Sequence, residues 1–135
     1  MTEKLGMVVS TFNHEITGEM SKRAQQRAKE IGAKIVKILD VPGAFEIPLA
    51  VKKLLGDKNI EGVVTIGTVI KGDTNHDEVV AHAVARKLLD LSIEYGKPVS
   101  LGISGPNITY EQSKKRIDEY ATRAVDAVVK MVRRG

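Results

Sequence analysis

The 135-residue sequence predicts an α/β fold of one domain, residues 1–135: a three-layer sandwich whose four-stranded parallel sheet carries helices on both faces. Three observations predict it. Short β-branched runs bounded by Gly or Pro alternate with helix-period segments, the pattern of buried strands joined by crossover helices. The first three helical segments close on glycine, at Gly32, Gly56 and Gly96, a frequent helix terminator. The length suits a single core and is too short for a catalytic domain plus a separate substrate domain.

The strands are LGMVVS (5–10), AKIVKILDV (33–41), EGVVTIGTVI (61–70) and PVSLGIS (98–104), all read as mostly buried. Between them the helical periods cover 16–31, 47–55 and 77–95, the last with Val80, Ala83, Val84, Leu88 and Leu91 facing inward. A final helix starts at Thr109, where Thr109-Tyr110-Glu111-Gln112 matches a capping box, and it carries Ile117, Ala121, Ala124, Val125, Val128 and Val132 on one stripe. The order βαβαβαβα, with right-handed crossovers, places a ligand at the C-terminal ends of the strands. No linker, repeat or low-complexity segment interrupts it.

Composition narrows the function classes. Without cysteine the chain has no disulfide, thiolate nucleophile or Cys-based zinc site, which suits a reducing compartment. No apolar run reaches membrane-spanning length and no signal-peptide core opens the sequence, so a soluble cytoplasmic protein is expected. The net charge of +4 is moderate, and two Phe, three Tyr and no Trp are few rings for stacking on bases. An anionic small molecule fits this chain better than nucleic acid.

Four turns then gather at one sheet edge: TFNHE (11–15), VPGAFEIP (41–48), TVIKGDTNH (68–76) and SGPN (104–107). They bring together Phe12, Asn13, Phe45, Glu46, Thr74, His76 and the backbone amides of Gly72 to Thr74. The third turn has the glycine spacing of a P-loop from Gly67 to Thr74, but Asp73 stands where the phosphate-binding lysine belongs, so the NTPase reading fails. No Rossmann-type glycine fingerprint opens a helix either. Exposed amides at a helix N-terminus still favour a phosphate here, against the plainer reading that Thr74 with Asp77 and Asn75 with Glu78 are only caps.

His76 admits three readings. As a metal ligand it lacks partners, since His82 lies six positions on, no HExxH occurs and cysteine is absent; no metal is expected. As a general acid/base it stands where the helix dipole opposes its cationic form while Asp77 and Glu78 support it, which keeps both protonation states in reach. As a surface histidine it would be ordinary. Residue spacing alone leaves the last two open.

The combination of FN at 12–13, VPGAFEIP at 41–48, GTVIKGDTNHDEV at 67–79 and GISGPNIT at 102–109, in register over nearly the whole chain, resembles the lumazine synthase family. The resemblance implies a flavodoxin-like arrangement and a cofactor-free transferase of riboflavin biosynthesis. That reaction condenses 5-amino-6-ribitylaminouracil with 3,4-dihydroxy-2-butanone 4-phosphate to 6,7-dimethyl-8-ribityllumazine. It assigns proton transfer to His76, stacking on the pyrimidine to Phe12 and hydrogen bonding of its edge to Asn13. Ribityl binding falls to Glu46 with the backbone of Ala44 and Phe45, pyrimidine reading to the backbone of Thr68, Val69 and Ile70, and phosphate binding to Gly72, Asp73 and Thr74.

On the last helix, Arg116 matches the family's phosphate-binding arginine, with Lys115 as the one-residue alternative, and Arg123 matches a basic residue near the pyrimidine. A solvated basic face is the plain alternative. Leu101 departs from the pattern, standing where many members carry a phenylalanine that reaches a neighbouring subunit's substrate. The resemblance further implies a homopentamer with sites between adjacent subunits, extended in some members to an icosahedral capsid; a short connection before the last helix suits the larger assembly, and no long arm precedes the first strand. A related riboflavin synthase is disfavoured by the intact VPGAFEIP and glycine-to-histidine motifs. A non-catalytic flavin- or lumazine-binding protein is disfavoured by His76, Glu46 and Arg116 together.

Overall fold

The structure, a computed structural model, describes residues 2–135. Four strands, β1 (Lys4–Ser10), β2 (Lys34–Val41), β3 (Gly62–Ile70) and β4 (Ile103–Ile108), alternate with α1 (His14–Glu30), α2 (Ile47–Leu55), α3 (His76–Tyr95), α4 (Tyr110–Lys115) and α5 (Ile117–Arg133). The sheet is all parallel in the order β2-β1-β3-β4. Helices cover both faces. Leu5, Met7, Val9, Val64 and Ile66 meet α1 and α5 on one side, while Val8, Val63 and Ile103 meet α2 and α3 on the other. This is the predicted three-layer sandwich with flavodoxin-like strand order. Its switch point, where the chain leaves β1 for one side and β3 for the other, opens a crevice at the strands' C-terminal ends.

Charge pairs bind α1 to α5 across one face. Arg27 grips Asp126 with two nitrogens, at 2.8 and 3.2 Å, and Arg23 bonds Asp118. Arg133 grips Glu3 in the same two-pronged way, at 3.1 and 3.2 Å, tying the end of α5 to the residue before β1.

Four expectations need correction. The strand predicted over 98–104 lies at Ile103–Ile108 instead, and Val99 makes only an isolated bridge with Val63. The cause is Thr65: its hydroxyl donates to Ser100 O at 2.7 Å and accepts from Gly102 N at 3.1 Å, capturing backbone groups that a regular ladder would pair. SGPN lies within β4 as its irregular stretch: Gly105 (φ 112°) and Asn107 (φ 62°) have positive φ, and the register to β3 shifts across it. β2 is not buried; as the edge strand it exposes Val36 and Ile38, because burial in a sheet depends on strand order as much as on composition. On α3 the inward alanine is Ala81, and Ala83 faces solvent.

The single last helix is in fact two. Arg116, at φ −106° and ψ 14°, separates α4 from α5, and its N–H bonds back only three residues to Ser113 O at 3.1 Å. That tightened turn interrupts the α-helical bonding between the two segments. The predicted capping box is present in both halves: Gln112 N donates to Thr109 Oγ1 at 3.1 Å and Thr109 N to Gln112 Oε1 at 2.9 Å.

Candidate active site

A cleft of about 480 Å³ opens at the switch point. β1 delivers Phe12 to its rim and the segment after β2 delivers Ala44 and Phe45. β3 contributes Thr68, Val69 and Ile70, and the turn into α3 adds Gly72, Thr74 and His76. Nine of the sequence-predicted residues thus line one cavity. Backbone bonds hold the first two turns together: Thr11 N donates to Val41 O at 2.8 Å and Phe12 N to Pro42 O at 3.0 Å. Asn13 follows immediately in the left-handed conformation, φ 61°, as the residue before α1, and its side chain makes no cap bond.

Both phenylalanines stand in the open. Phe12 is 69% and Phe45 66% exposed, so neither serves the core, and leaving two rings in water at the mouth of a cavity has no packing benefit to offset it. That disposes of the core-packing alternative for Phe12. Glu46 closes a turn of 3-10 helix, Ala44–Glu46, and folds back so that Oε1 would lie 3.3 Å from a Cβ placed on Gly43. Since Gly43 lines the cleft, the carboxylate stands at its edge.

The Thr68 hydroxyl is turned away from any ligand. It forms a buried triangle with Ser104 and Ser113, with O···O distances of 2.7, 2.8 and 2.9 Å, so what Thr68 presents to the cleft is its backbone. Residues Gly72 to His76 are all exposed, and His76 is the first residue of α3, with its N–H 3.3 Å from Thr74 Oγ1. The side chain of Asn75 makes no cap bond, so the plainer reading keeps only the Thr74 Oγ1 contact to His76 N. An anion in this turn would meet the positive end of a twenty-residue helix.

Three predicted residues lie elsewhere. Leu101 and Arg123 line a recess of about 180 Å³ with Tyr120, and Arg116 lines another of about 250 Å³ beside Gly105 to Ile108. Arg116 and Arg123 still share a face, both reaching Glu119, at 3.6 and 3.8 Å. Asp73 does not line the cleft either. Among the described residues no group of three or more His, Asp or Glu is placed to hold a metal ion, and no helix is long and apolar enough to cross a membrane.

Sequence reasoning did not anticipate Asp77 as a cleft residue. It reads as a first-turn acid, yet it is buried and its Oδ2 accepts from Asn107 N at 2.8 Å. Gly43 and Val80 line the cleft as well, neighbours of residues that were identified.

Residues 2–135 match the family model described as 6,7-dimethyl-8-ribityllumazine synthase. Curated proteins of that name are similar over nearly the whole chain. The one from Metallosphaera sedula is 57% identical over 131 residues, covering 97% of this chain and 87% of its own. The one from Methanopyrus kandleri is 56% identical, covering 97% and 92%. A third, from Sulfolobus acidocaldarius, is 52% identical, covering 96% and 82%.

Proposed function

This chain belongs to the 6,7-dimethyl-8-ribityllumazine synthase family, and we propose from that premise that it joins 5-amino-6-ribitylaminouracil to 3,4-dihydroxy-2-butanone 4-phosphate in riboflavin biosynthesis. The observation that carries the reading is the cleft itself, where two exposed aromatic rings, a helix-start turn and a histidine converge.

The pyrimidine stacks on Phe12, with Asn13 and the backbone of Thr68, Val69 and Ile70 reading its edge. Glu46, with the backbone of Ala44 and Phe45, accepts from the ribityl hydroxyls, a role for an acceptor-only carboxylate. The backbone of Gly72, Asp73 and Thr74 holds the phosphate; Asp73, which does not line the cleft itself, contributes through its amide between two residues that do. An amine of the pyrimidine attacks the ketone, water leaves to give an imine, phosphate is eliminated, and the second nitrogen closes the ring with loss of a further water. Each step moves a proton, and His76 beside the phosphate turn is the side chain in the cleft suited to carry it.

The basic residues complete the site from a second copy. Arg116, Arg123 and Leu101 stand off the cleft of their own chain, which fits a head-to-tail ring in which each interface joins one chain's cleft to the next chain's recesses. We assign a homopentamer in the cytoplasm, and mass measurement by light scattering distinguishes it from a closed capsid of pentamers. Incubating the protein with both substrates and following lumazine absorbance and fluorescence tests the reaction; no product over a range of pH and temperature overturns it.

A further inference from the structure

The turn from Gly72 to His76 is held at its ends rather than along its length. Every residue in it is exposed, and a Cβ on Gly72 would meet nothing within 4 Å. Just before it, Lys71 N donates to Ile108 O at 2.8 Å; just after it, Asp77 Oδ2 accepts from Asn107 N at 2.8 Å. Two consecutive residues of β4 thus pin both feet of the turn. The first tie is an ordinary backbone bond continuing the β3–β4 pairing. The second is a side chain, and it is 5% exposed although it belongs to a helix's first turn, where an acid normally faces water. Favourable interaction with the helix dipole explains a negative charge at this position but neither its burial nor its reach to Asn107. Asn107 itself is held at φ 62°, a left-handed conformation that Asn tolerates better than most residues.

We propose that Asp77 is a positioning residue for the reaction: by fixing the far foot of the turn to Asn107, it sets where the amides of Gly72 to Thr74 stand relative to the His76 imidazole. This rests on the reading of the cleft given above. Without the tie, the turn keeps the Lys71 bond, the Thr74 Oγ1 contact to His76 N and the helix bonds that Asn75 O accepts from Glu78 and Val79 N, but the first turn of α3 loses its side-chain bond to β4, so phosphate and proton carrier lose a shared reference to the sheet. The pyrimidine subsite, built on Phe12, Asn13 and β3, is held by separate contacts, among them Phe12 N to Pro42 O.

Steady-state kinetics of Asp77→Ala and Asp77→Asn, with each substrate varied in turn, test the proposal. Asp77→Ala is expected to raise KM for the phosphorylated ketone roughly tenfold and lower kcat, the scale of one charge-assisted hydrogen bond, while KM for the pyrimidine moves less than about twofold. Asp77→Asn keeps an oxygen able to accept from Asn107 N and is expected to recover most of the loss. An Asn variant as impaired as the Ala variant overturns the proposal, because the charge itself would then be in use. Equal rises in both KM values, or no change in either, also overturn it. If Asp77→Ala does not fold by circular dichroism, Asp77→Ser, whose hydroxyl falls short of Asn107 N, replaces it. If the wild type makes no product, the reaction reading fails separately, and binding of inorganic phosphate by ³¹P NMR decides: weaker in the Ala variant supports the tie, equal overturns it.

Discussion

Thr68 Oγ1 lies 2.8 Å from Ser113 Oγ, joining the C-terminal half of β3 to α4 across 45 residues of sequence, and Ser104 bonds to both. All three residues are buried, so removing one leaves the other two bonded to each other but one hydroxyl proton without an acceptor. Ser113→Ala is expected to destabilise the fold by about 1–2 kcal/mol, seen as a lower urea midpoint. The triple variant Thr68→Val/Ser104→Ala/Ser113→Ala is expected to cost less than the sum of the three single variants, because removing the set leaves no orphan. Strict additivity would mean that the triangle is not a unit.

His76→Ala is expected to lower kcat roughly tenfold to a few hundredfold, toward the low end of general acid/base effects because the substrates are already reactive. KM for either substrate is expected to hold within a few-fold, since Phe12 and the turn amides remain. An unchanged kcat removes the proton-transfer role and leaves the phosphate turn standing.

What was legible in the sequence was whatever local periodicity controls. The Thr109–Gln112 capping box, the α5 stripe and the buried runs of β1 and β3 are each encoded within a few residues, and they form as read. The misreadings share a cause in contacts distant along the chain. Val99 to Gly102 look like strand, and only the side chain of Thr65, some 35 residues away, shows why pairing breaks there. β2 has a core composition but an edge position, which strand order decides. In the cleft, the motifs located the lining residues, yet the Asp77 tie to Asn107, 30 residues on, has no local signature. The break at Arg116 likewise depends on a three-residue backbone bond to Ser113 that no capping pattern announces.

Glu3 and Arg133 make stability depend on pH in a stated direction. The two-pronged hydrogen bond from Arg133 holds the Glu3 carboxyl below the ordinary carboxylate range, against the opposing effect of burial. A depressed carboxyl contributes stability that is present above its unfolded value and is lost as pH falls through its folded value. Arg133→Met is therefore expected to lower the urea midpoint at neutral pH, with the gap from wild type narrowing below about pH 4. A gap that stays constant, or widens in acid, contradicts the assignment.

Two complementary inactive variants test whether the cleft is completed by the assembly. One inactive variant carries Phe12→Ala with Glu46→Ala, damaging the cleft; the other carries Arg116→Ala with Leu101→Asp, damaging the recesses. Unfolded and refolded together in equal amounts, they form mixed rings if the site spans a head-to-tail interface. An interface then works only when its cleft comes from the second variant and its recesses from the first. Random mixing makes that about one interface in four, because the two patches of a heterologous interface are drawn independently. Activity is expected to recover to roughly that fraction of wild type refolded in the same way. Substituting Lys115→Ala for Arg116→Ala separates the two neighbouring cations, since only the one that contacts phosphate raises KM for the phosphorylated ketone selectively. Mixed rings verified by native mass spectrometry but without recovered activity would place each site within a single chain, and Arg116, off the cleft of its own chain, would then have no part in it.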